Sequence, residues 1–465
     1  MRNFQKILIL LTFGLFTNVA IAQELPPLPG EPKPFELSTP TTIHLDNGLQ
    51  VTFVEFGIVP KVTISIVVEV GNKNEGADTW LSDLMAELMK EGTTSRSAFD
   101  LVVEAADMGG GLNVGVGQDQ TSASMDVLSD YGDEAILLMA DVLRNPAFPE
   151  AELDRIKQNF LRNLSVSRTQ SRSMASEAFL ELLYGADHPY GNILPDDGQI
   201  EGYTMGQIRA FYAANFGAAR TRIYVVGQFD QAAVEAAIRQ AFGDWEAGPA
   251  PLDLVPSPQS SLRVKLIDRP GSEQSTIYLG LPVINIDDPD YIAFRVMHTM
   301  LGGAFSSRIT KNIREDKGYT YSPRASIARR KGTSYWTQVA DVTTSVTGPA
   351  LHEIFYEIRN LQENIPPASE VNKVQNYLAG IFVLQNGSRG GIIGQLAALN
   401  LQGLDASYLN SFVSRVLAVE DAQMSEIAAS QLPLDQMTLV VVGDLSLIEE
   451  QIRALPELEG AEFVE

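Results

Sequence analysis

The 465-residue sequence contains no cysteine, which excludes disulfides and thiolate metal sites. Histidine is nearly as scarce. His44, His188, His298 and His352 are scattered, and no two share a spacing suited to metal ligation. Basic residues are few, 34 against 58 acidic ones, and the formal net charge of -24 argues against nucleic acid as a partner. Beyond the N-terminus, no stretch approaches the roughly 18 uncharged apolar residues of a membrane-spanning helix.

The first residues follow an export pattern. Arg2 and Lys6 give a basic start, Ile7-Leu-Ile-Leu-Leu-Thr-Phe-Gly-Leu-Phe16 is a short apolar core, and Ala20-Ile-Ala22 is a small-residue cleavage site. Residues 1–22 therefore read as a signal peptide, with Gln23 as the mature N-terminus. The expected product is soluble, periplasmic or otherwise exported, with no integral membrane segment after cleavage. The proline-rich residues 23–38 read as an N-terminal arm.

The remaining chain repeats itself. Thr221-Arg-Ile-Tyr-Val-Val-Gly227 and Met437-Thr-Leu-Val-Val-Val-Gly443 are runs of strand type, and each precedes a helical segment. Leu49-Gln-Val-Thr-Phe53 matches Leu262-Arg-Val-Lys-Leu266. Asn145-Pro-Ala-Phe-Pro149 is echoed by Asn364-Ile-Pro-Pro367, both opening a long helix through a proline turn. Three matches at nearly one offset indicate an internal duplication. Residues 39–245 and 262–465 are the two expected domains, and residues 246–261, with four prolines, the extended linker between them. Each half runs strands, helix, strand, helices, strand, helix. That order predicts an α+β domain, a largely antiparallel sheet with helices packed on one face.

Residues 80–90 pattern as an amphipathic helix, with Asp83 and Glu87 on one side. A helical zinc site needs two imidazoles four residues apart and a glutamate base before the second. This helix offers Asp83, Ala86 and Glu87, which read as a solvated face or a partner contact, with a weak hard-cation site at the two carboxylates as the lesser alternative. His188, in Asp187-His-Pro-Tyr-Gly191, fits either a turn cap or a substrate contact. Taken alone, Arg314 reads as a surface salt-bridge residue and Tyr321 as ordinary packing.

The ordered set of Glu91-Gly-Thr-Thr-Ser-Arg96, Asn145-Pro-Ala-Phe-Pro149, His188-Pro-Tyr-Gly191, Leu301-Gly-Gly-Ala-Phe-Ser-Ser-Arg308, Ile313-Arg-Glu-Asp-Lys-Gly-Tyr-Thr-Tyr321 and the two Val-Val-Gly strand ends resembles the pitrilysin or insulinase (M16) type of zinc peptidase. The resemblance covers the whole mature chain and implies the two-domain fold of that family. It places the family's two zinc histidines at Asp83 and Glu87, its base glutamate at Ala86 and its third ligand at Asn163. All four are degenerate, so the resemblance implies no metal in this chain. It also implies that Arg314 and Tyr321 match an arginine and tyrosine that reach a bound peptide. Gly302 and Gly303 lie where related subunits have a more glycine-rich loop that contacts substrate; with fewer glycines here, the loop reads first as a structural turn, with substrate contact as the alternative. The expected function is a non-catalytic subunit that binds and positions peptide for a homologous zinc-bearing partner. The alternative is an inert scaffold or peptide-binding protein of the same fold. Zinc is expected in the partner, and a homodimer stays open for the isolated chain.

Overall fold

The computed structural model describes residues 37–254 and 256–464. The signal-peptide reading and most of the expected arm lie outside them. Among the described residues, no helix is long and apolar enough to cross a membrane.

Two six-stranded sheets organise the chain. The first comprises β1 (Thr41–His44), β2 (Gln50–Glu55), β3 (Lys61–Val68), β4 (Asn113–Val116), β5 (Thr121–Leu128) and β6 (Thr221–Gly227), in the order β1-β2-β6-β3-β5-β4. The second comprises β7 (Arg263–Asp268), β8 (Gln274–Val283), β9 (Arg324–Arg330), β10 (Thr333–Thr343), β11 (Thr438–Gly443) and β12 (Glu462–Val464), in the order β12-β7-β11-β8-β10-β9. The series β2-β6-β3-β5-β4 and β7-β11-β8-β10-β9 are the same topology, as the repeats imply. They differ at one edge. β1 closes the first sheet as an antiparallel hairpin partner of β2, whereas β12 returns from the C-terminal end to lie parallel to β7. Pairing elsewhere is antiparallel except for β2–β6 and β7–β11.

Alternation sets the register. Val62, Ile64, Ile66 and Val68 of β3 point into the first core with Leu84, Met85, Leu88, Ile136 and Met139 from the helices. Thr63, Ser65 and Val67 take the opposite face. In β8, Ile277, Leu279 and Leu281 face the second core, and Tyr278 faces away.

That opposite face is where the two halves meet. The helix Ser171–Tyr184 leaves the first half and packs on the second sheet, with Phe179 fully buried 4.9 Å from the Tyr278 ring and 5.9 Å from Tyr335. The helix Arg389–Leu401 does the reverse, placing Ile392, Ile393, Leu396 and Leu399 in one apolar cluster with Val54, Val67, Tyr224 and Val226 of the first sheet. Arg389 clasps Asp126 through Nε at 3.1 Å and Nη2 at 2.8 Å, and the Tyr224 hydroxyl donates to Asn400 at 2.8 Å. Each domain thus covers one sheet face with its own helices and receives one helix from the other domain. The irregular segment after residue 246 is tied down rather than free. Arg220 donates to the carbonyls of Pro249 and Ala250, and the Gln259 N–H donates to Leu183.

Candidate functional site

The helix expected over residues 80–90 spans Leu81–Met89. Trp80 lies just outside it, with a left-handed φ of 69° that is costly for a bulky residue. No side chain of the preceding residue caps this helix. Glu75 does so from a distance: its carboxylate accepts from the N–H groups of Trp80 at 3.0 Å and Ser82 at 2.7 Å, and from the Ser82 hydroxyl. Glu75 is buried, and burial pushes its carboxyl up to about 7, with the charge of Asp83 adding to the rise.

The four positions matching the family's zinc site are otherwise engaged. Asp83 is not a solvated face. Its carboxylate accepts from Asn72 at 2.6 Å, and burial raises its pKa above the usual carboxylate range. Ala86 is buried in the core and has no donor atom. Glu87 pairs with Lys90 at 2.6 Å, and Asn163 is exposed on the long helix Glu150–Thr169. No group of three or more His, Asp or Glu side chains among the described residues is arranged to hold a metal ion. The donor set does not fit zinc: one position lacks any ligand atom and the two carboxylates are committed to neighbours.

His188 adopts the turn-cap alternative. Its Nδ1 accepts from the Tyr190 N–H at 3.0 Å, its ring stacks on Tyr184, and burial lowers its pKa. Beside it the Tyr190 hydroxyl donates to Asp119 at 2.6 Å. Asp119 and Glu69 flank the buried Lys73 at 3.5 and 3.4 Å, and Lys331 of the second domain also pairs with Glu69. His188 thus belongs to a polar seam between the domains and lies apart from Arg314 and Tyr321.

Arg314 and Tyr321 are brought together. A π-helical turn, Thr299–Gly303, leads into the loop of residues 304–307, and a second, Lys311–Asp316, carries Arg314. π-turns recur at functional sites because they re-aim side chains. Arg308 fixes the far end of the loop through paired bonds to Glu370 at 2.8 and 2.7 Å. After the second π-turn, Gly318 reverses the chain with φ 67°, and Thr320 locks onto β10 through the Asp341 carbonyl at 2.7 Å. Tyr321, the next residue, is left 82% exposed. The Arg314 guanidinium sits 5.4 Å from the Tyr321 ring and 4.2 Å from the ring of Phe305, which is itself 70% exposed. Neither the salt-bridge nor the packing reading fits. The Arg314 side chain meets the Phe305 and Tyr321 rings and has no ion pair or hydrogen bond with the other described residues, and Tyr321 is not packed.

Gly302 and Gly303 support this loop from behind. A Cβ at Gly302 would stand 2.7 Å from the Ala325 Cβ, and one at Gly303 would stand 2.5 Å from Nε2 of His298. His298 is half-buried by its side chain and backbone together, its ring accepts from the Trp336 indole at 3.0 Å, and desolvation of the ring lowers its pKa to about 3, which keeps it neutral. Both glycines are therefore required for close packing. Phe305 was not singled out by the sequence reading. Its signal was a large aromatic residue set among Gly-Gly-Ala and Ser-Ser, where turns seldom place one.

Comparison with known proteins agrees with this architecture. Residues 58–194 match the family model described as Insulinase (Peptidase family M16), and residues 203–378 match the one described as Peptidase M16 inactive domain. An uncharacterized zinc protease of Rickettsia felis is 26% identical over 60% of this chain and 67% of its own length; one from Mycobacterium bovis is 26% identical over 61% and 66%. The chain thus spans about two thirds of the length of these relatives. An uncharacterized zinc protease of Streptomyces coelicolor is 23% identical over 86% of this chain and 89% of its own length. Among solved structures, a peptidase M16 inactive domain from Pseudomonas fluorescens superposes with a TM-score of 0.80 at 26% identity, covering 87% of this chain and 98% of its own. A protease from Helicobacter pylori shares the fold, with a TM-score of 0.81 at 19% identity over 88% and 100% of the two chains. The two-sheet fold is that of a two-domain peptidase homologue. The chain belongs to the M16 peptidase family.

Proposed function

We propose that this chain is the non-catalytic subunit of a heterodimeric zinc metallopeptidase, exported to the periplasm, that binds peptide and positions it for a homologous partner holding the zinc. The observation that carries the proposal is an asymmetry between its domains. The first has committed or lost every side chain at the family's metal positions. The second keeps Arg314 unpaired and Tyr321 largely exposed. A guanidinium with free in-plane N–H groups can fix a peptide carbonyl or carboxylate through two parallel bonds. A phenol hydroxyl free of intramolecular partners can donate to a carbonyl oxygen as it gains negative charge. Neither group is an economical choice for packing or surface stability.

Reconstitution tests the proposal. The chain is mixed with a zinc-bearing family member from the same source, and cleavage of unfolded peptides is followed together with complex formation by size-exclusion chromatography, which also reports whether the isolated chain is a homodimer. The pair should cleave and the chain alone should not. Cleavage by the pure chain, with or without added zinc, overturns the assignment. A complex whose activity ignores Arg314 and Tyr321 makes the chain a scaffold instead.

A further inference from the structure

The cation–π geometry around Arg314 adds a residue that neither the sequence reading nor the family comparison assigns. We propose that Phe305 is a positioning residue that holds Arg314 for a peptide carboxylate, the three side chains Phe305, Arg314 and Tyr321 forming one clamp. This rests on the peptide-binding reading above and names the chemistry it recognises.

Several observations converge. Phe305 is the nearer of the two rings, 4.2 Å from the guanidinium carbon against 5.4 Å for Tyr321. Its exposure leaves it with no packing role that would explain an aromatic residue there. The loop that carries it is anchored at both ends, by the close-packed Gly302 on one side and the Arg308–Glu370 pair on the other. Phe305 is therefore displayed from a supported loop. A guanidinium engaged through its π-face keeps its N–H edge available, and its long stem loses freedom before any ligand arrives. The protein is strongly acidic overall, so an anionic group finds few favourable places on it. Arg314, without a carboxylate partner of its own, offers one, and two parallel N–H donors match a carboxylate better than a carbonyl. Exposed aromatic rings beside it can cover the apolar atoms on either side of that carboxylate.

The carboxylate has two sources, the C-terminus of the peptide or an acidic side chain, and the test separates them. The full mature chain is titrated, by fluorescence anisotropy, into a fluorescein-labelled unstructured peptide with one internal glutamate and a free C-terminus. Parallel titrations use its amidated form and its form with glutamine at the internal position. One of the two neutralised peptides should bind more than about tenfold more weakly, as expected for loss of a charge-assisted pair. F305L should weaken binding of the parent peptide about threefold, F305Y should restore it, and F305L should have little effect on the neutralised peptide. In ¹⁵N-arginine spectra the Arg314 Nε–H resonance should move in F305L and return in F305Y, with the remaining arginine signals unchanged.

Binding that ignores both neutralised peptides, or an unchanged affinity in F305L, overturns the clamp while leaving peptide binding standing. Failure of every peptide to bind, alone and in the reconstituted pair, sinks the peptide-binding reading itself. An Arg314 resonance indifferent to Phe305 would show that the ring does not hold the guanidinium.

Discussion

Glu75→Gln should change how stability depends on pH. Glu75 is buried beneath the first turn of the Leu81–Met89 helix, and its carboxyl is pushed from the ordinary 4.5 up to about 7. The folded chain therefore holds a proton that the unfolded chain releases between those values. The stability tied to that proton is fully present below about pH 4.5 and is lost as the pH rises through about 7. At about 1.4 kcal/mol for each tenfold change in proton affinity, the loss approaches about 3 kcal/mol. For a chain of this length that is about 3 °C in Tm. The parent profile alone is not diagnostic, because His298 works in the opposite sense. Its pKa is lowered to about 3 by burial, so the folded state gains stability as the pH rises from there through the ordinary imidazole value. The difference between variant and parent isolates Glu75. Glutamine cannot ionise, and any fixed cost of displacing the Trp80 N–H bond shifts its curve without tilting it. Thermal unfolding followed by circular dichroism from pH 4.5 to 8 should show the variant gaining about 3 °C on the parent across the range. Parallel curves would mean that the bonds from Trp80 and Ser82 outweigh burial and that Glu75 is ionised in the native state.

Three further outcomes are expected. Arg389→Ala, which removes the clasp on Asp126 between the domains, should lower stability by about 1 kcal/mol, read as a lower unfolding midpoint, with the effect fading at high salt. Gly302→Ala should cost about 1–3 kcal/mol, whereas Gly111→Ala, where a Cβ would meet nothing within 4 Å, should be nearly neutral; calorimetry on both separates packing from backbone effects. On the reconstituted heterodimer, Tyr321→Phe should reduce kcat more than it raises KM, and Arg314→Ala should act mainly on KM, because the first contact strengthens as charge develops and the second is present in the ground state. If both variants cleave like the parent, the pair has no part in the reaction.

Much of this is legible in the sequence. The alternate residues Val62, Ile64, Ile66 and Val68 of β3 and the amphipathic run from Leu81 show which side faces the first core, although β3 also buries Val67 on its other face against the second. The degenerate metal positions were legible because ligation demands particular atoms, and Ala86 has none. Other features were not. Glu75 caps a helix from six residues upstream of its first residue, through a turn whose path no local pattern announces. The Phe305–Arg314 contact depends on two π-turns, and these place side chains where a 3.6-residue period does not.

The exchanged helices left a trace in the sequence that the one-face description of each sheet did not use. A strand covered on one side alternates; a strand covered on both sides does not. Ile223-Tyr-Val-Val226 and Leu439-Val-Val-Val442 are unbroken apolar runs, and every residue in them is buried. Their odd members, Ile223, Val225, Leu439 and Val441, face the helices of their own domain. Tyr224 and Val226 lie under the helix lent by the second domain, and Val440 and Val442 under the one lent by the first. The same two runs mark the duplication, so the repeat and the exchange are carried by the same pair of strands. Once each half carries a central strand apolar on both faces, a cover is needed that its own helices do not supply, and the other half supplies it. Neither domain can then be expected to fold with its sheet covered in isolation, and the proposed peptide-positioning role is one for the joined pair of domains.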